Sequence, residues 1–129
     1  MKVGDYVIAS YKSGDYVGEL LTLNHPKSKV RVVAVLKHPM QGDLHHPQQI
    51  DVAMFHQRRA LSYREVANIP VSDIVIYEQS AVPEYNTSLH NALNTEIEAM
   101  QKLNTPFGNK AVEELLRLKQ EYWTSGTKI

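Results

Sequence analysis

The densest group of potentially reactive side chains lies in the middle of the chain. His38, Asp43, His45, His46 and His56 fall within 19 residues of one another, and imidazole together with carboxylate is good zinc chemistry. Their spacing matches no ligand pattern of the HExxH kind. Pro39, Gly42 and Pro47 interrupt the same stretch, which forbids a regular element there. The cluster reads as a structured polar loop, and neither a metal nor any other cofactor is expected from it.

A second group is cationic. Arg58 and Arg59, with Arg31, Lys37 and Arg64, could meet phosphates, and Tyr6, Tyr11, Tyr16 and Tyr63 could stack on bases or cage a cation. Aromatics at strand spacing more often pack across a hairpin, and a net charge of zero opposes avid nucleic-acid binding. His90 sits in a helical pattern where a phosphoacceptor would suit. Its surroundings, Ser88-Leu89-His90-Asn91-Ala92-Leu93-Asn94, lack the acidic neighbour and downstream proline of a histidine-kinase box. No GxSxG, glycine-rich phosphate loop or dinucleotide fingerprint occurs. No catalytic residue is assigned, and the chain is read as a non-enzyme. The residues marked for partner contact are His38, Gln41, Asp43, His45, His56, Arg58 and Arg59, on a polar Gly/Pro-rich loop of the kind that carries function on a rigid scaffold.

The scaffold follows from hydrophobic periodicity. Val3 to Tyr11 is β-branched and aromatic, with Val3, Val7, Ala9 and Tyr11 on one parity. Lys12-Ser13-Gly14-Asp15 forms a turn with a glycine free to take positive φ. Tyr16 to Leu23 is a second strand, whose Gly18 suggests a bulge or a strongly curved stretch. Lys29 to Leu36 is a third, apolar enough to be central, and the three make a meander that could curl into a small barrel. Val52–Phe55 and Ala60–Ala67 are possible further strands, and Ile69–Tyr77 reads as a last strand more than a short helix. From Ser88 to Leu103, Leu89, Leu93, Ile97, Met100 and Leu103 share one helical face, with Asn86, Thr87 or Ser88 as cap. Thr105 caps a second helix with Pro106 at its first position. Its stripe is Phe107, Ala111, Leu115, Leu118 and Tyr122, widened by Val112, Leu116 and Trp123. That face is wider than one partner helix covers, so it should pack on the barrel or on another subunit.

Bulk properties set the frame. The 129 residues are 43% hydrophobic and 22% charged, which is ordinary globular composition. The absence of cysteine removes disulfides, thiolate metal sites, cysteine catalysis and thiol-linked lipid. The N-terminus shows no apolar run suited to a signal peptide, and no window is long enough to span a bilayer, so a cytoplasmic protein is expected. Charge is uneven: residues 24–64 carry seven Lys/Arg against Asp43 and Asp51, and residues 65–129 carry five against nine acids.

The runs Ala34-Val35-Leu36-Lys37-His38-Pro39-Met40-Gln41-Gly42-Asp43-Leu44-His45-His46-Pro47 and Phe55-His56-Gln57-Arg58-Arg59-Ala60-Leu61 resemble the kinase-associated protein B family of spore-forming bacteria. So do Gly4-Asp5-Tyr6-Val7, Tyr11 to Gly18, Asn68-Ile69-Pro70 and the Pro106-Phe107 helix start. The resemblance covers nearly the whole chain. It implies an α+β fold: a small antiparallel SH3-like β-barrel over residues 1–80, followed by a C-terminal antiparallel helical hairpin over 84–124. It implies an accessory role beside a membrane sensor histidine kinase that feeds the sporulation phosphorelay, with no catalytic residues carried over. The family's lipoprotein label is not matched by these residues, which hold no lipobox cysteine and show no leader: either the label is wrong or membrane contact is indirect, through the partner. A homodimer through the C-terminal helices stays open. A small-barrel nucleic-acid-binding protein is the alternative.

Overall fold

The structure, a computed structural model, describes residues 1–42 and 55–124. Five strands, β1 (Tyr6–Tyr11), β2 (Gly14–Leu20), β3 (Lys27–Lys37), β4 (Val66–Pro70) and β5 (Ile74–Ile76), precede two helices, α1 (Tyr85–Leu103) and α2 (Pro106–Thr124). The sheet order is β4-β3-β2-β1-β5, with every pair antiparallel.

Connectivity forces the sheet to curl. β4 and β5 are its two edges, yet only a 3-10 turn at Val71–Asp73 joins them. Laid flat, the outer strands of five would stand about 19 Å apart at the usual inter-strand spacing. The chain from Pro70 to Ile74, even fully extended, reaches only about 14 Å. The sheet closes toward itself as a half-barrel, which agrees with the expected α+β, SH3-like class.

Alternation decides what points inward. Val7 and Ala9 of β1 are fully buried, whereas Val3 lies before the strand and is exposed. Val7, Ala9, Leu20, Val30, Ala67, Ile69 and Ile74 fill the curl. A second cluster joins Tyr16, Val32 and Val35 of β2 and β3 to Leu89, Leu93 and Ile97 of α1 and Leu115, Leu118 and Tyr122 of α2. Tyr11 and Leu61 touch both clusters. The hairpin's apolar face is thus covered by the sheet of its own chain. Each Leu buried there stabilises by roughly 1.5–3 kcal/mol. Leu116 and Trp123, expected to widen the stripe, are half exposed, and Leu103 is exposed at the helix end.

Local details depart from the sequence reading at several points. The first hairpin turns on Lys12 and Ser13, both at positive φ (46° and 68°), and not on Gly14. Gly14 is a strand residue whose missing Cβ leaves room for the Tyr16 ring, since a Cβ would lie 2.6 Å from Oη. Ala60 to Glu65 is not a strand; β4 begins at Val66. The strand expected over Val52–Phe55 falls almost wholly outside the described residues. The stretch from Ile69 divides into the end of β4, the 3-10 turn and β5, so both of its sequence signals were real. Helix α1 starts at Tyr85, capped by the Glu84 side chain, which accepts from the Thr87 N–H (2.9 Å). Thr105 does cap α2, accepting from the Gly108 N–H at 3.0 Å.

Gly18 sits where the β2–β3 register shifts. A Cβ there would lie 2.3 Å from Val30 Cγ1 and 2.8 Å from the Arg31 carbonyl oxygen. The second obstacle is backbone and cannot rotate away. Gly18→Ala should therefore destabilise by about 1–3 kcal/mol, the usual cost of overpacking. Urea unfolding followed by circular dichroism measures this, and an unchanged midpoint would show that the strand relaxes freely.

Candidate functional site

Residues 55–65 have no regular structure, so their backbone polar groups need partners other than a sheet ladder. At the far end the backbone of β3 supplies them, the Arg64 N–H donating to the Val32 carbonyl (2.7 Å) and the Val32 N–H to the Glu65 carbonyl (2.9 Å); over residues 58–61 side chains do. The Tyr16 hydroxyl accepts from the Leu61 N–H (3.2 Å), and the Tyr85 hydroxyl donates to the Leu61 carbonyl. The Tyr122 hydroxyl accepts from the Ala60 N–H (3.0 Å). Gln41 clamps Arg58 twice: Oε1 accepts from the Arg58 N–H and Nε2 donates to its carbonyl, both at 2.9 Å. The Gly42 N–H donates to the His56 carbonyl (2.9 Å). Three tyrosines from β2, α1 and α2 and one glutamine thus brace residues 58–61, between the backbone bonds at His56 and at Arg64–Glu65.

His38 belongs to the same frame. One ring nitrogen, Nδ1, lies 3.0 Å from the Pro39 carbonyl, which can only accept, so Nδ1 carries the proton. Nε2 is then an acceptor and takes the Tyr122 O–H at 2.8 Å. Burial disfavours the charged ring and holds the His38 pKa down to about 4. Burial likewise pushes Tyr16 up to about 12 and raises Tyr85 and Tyr122, so all three hydroxyls stay neutral donors and acceptors.

The outward side of this segment is cationic. Arg58 is half-buried, with Nε donating to the Gly42 carbonyl (3.2 Å). Arg59 is exposed, lies over the Tyr122 ring at 5.0 Å and pairs with Glu121 at 2.9 Å. Lys12, raised on the first hairpin turn, lies over the Tyr11 ring at 5.3 Å. Between Lys12 and the two arginines runs a groove of about 270 Å³, floored by Tyr11, Tyr16 and Leu61.

The residues marked from sequence divide accordingly. His56, Arg58 and Arg59 reach the surface, whereas His38 and Gln41 are buried, at 0% and 2% exposure. Those two cannot themselves touch a partner; they hold the arginine strip in place. Asp43 and His45, with His46, lie outside the described residues. Among the described residues no three His, Asp or Glu side chains converge as a metal site, and both ring nitrogens of His38 are already hydrogen-bonded. His90 is buried on α1 with its ring edge-on to Trp123. Sequence reasoning missed Lys12, Tyr85 and Tyr122 as members of the site. Tyr122 occurs at an apolar stripe position, and nothing in periodicity distinguishes its hydroxyl from a phenylalanine edge.

Fold and site together define a small α+β protein: a curled five-stranded antiparallel sheet, a helical hairpin packed on it, and a cationic groove beside a side-chain-braced loop. Residues 11–123 match the family model described as kinase associated protein B. The kinase-associated lipoprotein B of Bacillus subtilis (strain 168) is 38% identical over 122 residues, covering 95% of this chain and 94% of that protein. The crystal structure of kinase-associated protein B from Bacillus cereus superposes with a TM-score of 0.79 at 34% identity, covering 95% of this chain and 97% of that one. The chain belongs to the kinase-associated protein B family. Unlike the label carried by the Bacillus subtilis relative, these 129 residues hold no cysteine to bear a lipid. Among the described residues, no helix is long and apolar enough to cross a membrane.

Proposed function

We propose that the protein is a non-enzymatic accessory factor, acting by protein–protein contact on a membrane sensor histidine kinase that feeds the sporulation phosphorelay. It works from the cytoplasmic side and reaches the membrane through its partner. Family membership and the kinase-associated names of the relatives support the kinase link. The observation that carries the contact surface is the bracing of Arg58 and Arg59. A loop whose backbone is clamped by Gln41, Tyr16, Tyr85 and Tyr122 presents its arginines without a large ordering cost on binding. Arginine is also among the residues that dominate interface energetics.

A nucleic-acid role is the weaker reading. Arg31 and Arg59 already face Glu19 and Glu121, and Tyr16 is buried and unable to stack on a base.

Changing Arg58 and Arg59 together to Ala should weaken capture of the purified kinase by about tenfold or more, equivalent to about 1.4 kcal/mol, and lower pathway output. Stability should change little through the Arg59–Glu121 pair, because both side chains are about half exposed (47% and 51%) and such pairs contribute about 0–1 kcal/mol. Undiminished capture and output in a folded double variant would defeat the assignment of this surface.

A further inference from the structure

We propose that the groove between Lys12 and Arg58 is a receptor for carboxylate side chains on an acidic segment of the protein partner. This rests on the reading of the arginine strip as a contact surface and adds its chemistry.

Size gives the first constraint. At about 270 Å³, the groove is smaller than the ~300–1,000 Å³ that drug-sized ligands occupy. It suits one or two side chains.

Charge gives the second. Lys12, Arg58 and Arg59 line the groove against one acid, Glu65. Glu65 is partly engaged, with Oε1 accepting from the Ser62 N–H at 2.8 Å. Arg59 shares its charge with Glu121. Among the described residues neither Lys12 nor Arg58 belongs to an ion pair. Among the described residues, two cations therefore face the groove with no carboxylate in ion-pair contact with either.

Preorganisation is the third. Gln41 fixes the Arg58 backbone on both sides, and Gly42 takes the Nε–H. The two terminal nitrogens are left to present a planar fork, which matches a carboxylate geometrically. Lys12 is itself a left-handed turn residue (φ 46°), and its Nζ lies over the Tyr11 ring. Nothing in the chain order pairs Lys12 with Arg58; only the curl of the sheet does.

The test titrates the full chain, at low salt, with a fluorescent peptide of alternating Glu and Gly. Inorganic phosphate and a short RNA serve as competing probes. Amide shifts should centre on Lys12, Gln57, Arg58 and Leu61. Lys12→Ala and Arg58→Ala should each weaken the peptide by about fivefold or more, while Lys119→Ala, outside the groove, should not. Saturation spread evenly over the surface, equal binding by all variants, or displacement by RNA at lower concentration than by unlabelled peptide would overturn the proposal. The readout is separate from kinase capture. Failed peptide binding with kinase capture still lost in the double arginine variant removes the carboxylate receptor and leaves the contact surface. Groove-specific peptide binding without any kinase capture leaves the receptor and removes the kinase.

Discussion

Tyr122→Phe should destabilise the protein by about 2–6 kcal/mol, although it deletes a single oxygen. The hydroxyl accepts from the Ala60 N–H at 3.0 Å and donates to His38 Nε2 at 2.8 Å. Both partners are buried, Ala60 at 7% exposure and His38 at 0%. Phenylalanine keeps the ring among Leu115, Leu118 and the sheet and keeps a face for the Arg59 guanidinium, so packing is little altered. What remains is one buried donor and one buried acceptor with nothing to bond. Each such orphan costs about 1–3 kcal/mol. Urea unfolding by circular dichroism should show the midpoint falling at constant slope, the mark of lost stability without a changed unfolded state. The loss should reach function too, because Ala60 follows Arg58 and Arg59 directly. Kinase capture by the folded variant should drop, though less than in the double arginine variant. A loss below about 0.5 kcal/mol, the range of unremarkable surface changes, would mean that water satisfies both groups and that Tyr122 is a packing residue only.

The parts of the molecule that were legible in its sequence are those built on repetition. The alternation that buries Val7 and Ala9, and the stripes through Leu89, Leu93 and Ile97 and through Ala111, Leu115 and Leu118, arise from strand and helix geometry that any residue string must obey. Thr105-Pro106 was readable for a local reason, since a cap and an N1 proline need only their neighbours. Glu84 as the α1 cap was not, because glutamate is an uncommon choice there and Asn86, Thr87 and Ser88 offered better side chains. Ser88 is spent otherwise: its hydroxyl accepts from the buried Val35 N–H at 3.0 Å, a contact across 53 positions of chain. The curl of the sheet depends on β5, whose three residues are too few to show a period. The site was legible only in half. Arg58 and Arg59 announce themselves as adjacent charges, but the frame that braces them is assembled from β2, the start of α1 and the end of α2. His38 was misread for the same reason. Beside Pro39, in a polar stretch, it was marked for direct partner contact, and only the tertiary fold buries it and places Tyr122 against it.

Buried His38 should also make the protein acid-sensitive in a defined window. In the native state its pKa is held down to about 4 by burial, against about 6.5 in the unfolded chain. Between these values the unfolded state binds the proton and the native state does not, so stability rises with pH there. The contribution is complete above about pH 6.5 and is lost as pH falls toward 4, amounting to about 3 kcal/mol at pH 4. Full burial of the ring means that solvent screening does not dilute it. The cause is burial, which disfavours the charged ring, with the nearby Arg59 charge adding a smaller push in the same direction. Carboxylates titrate in the same acid range, so the wild-type curve alone does not isolate the effect. The difference from His38→Phe does, because the carboxylates contribute to both proteins alike. The variant should be the less stable at pH 7.5, having lost two hydrogen bonds, and the gap should narrow steadily as pH falls from 6.5 to 4. Parallel curves from urea midpoints taken across that range would mean that the native ring accepts its proton as readily as the unfolded one. In that case the hydrogen-bonded frame behind Arg58 and Arg59 would be open to solvent, and the rigid presentation on which the contact surface depends would fail with it.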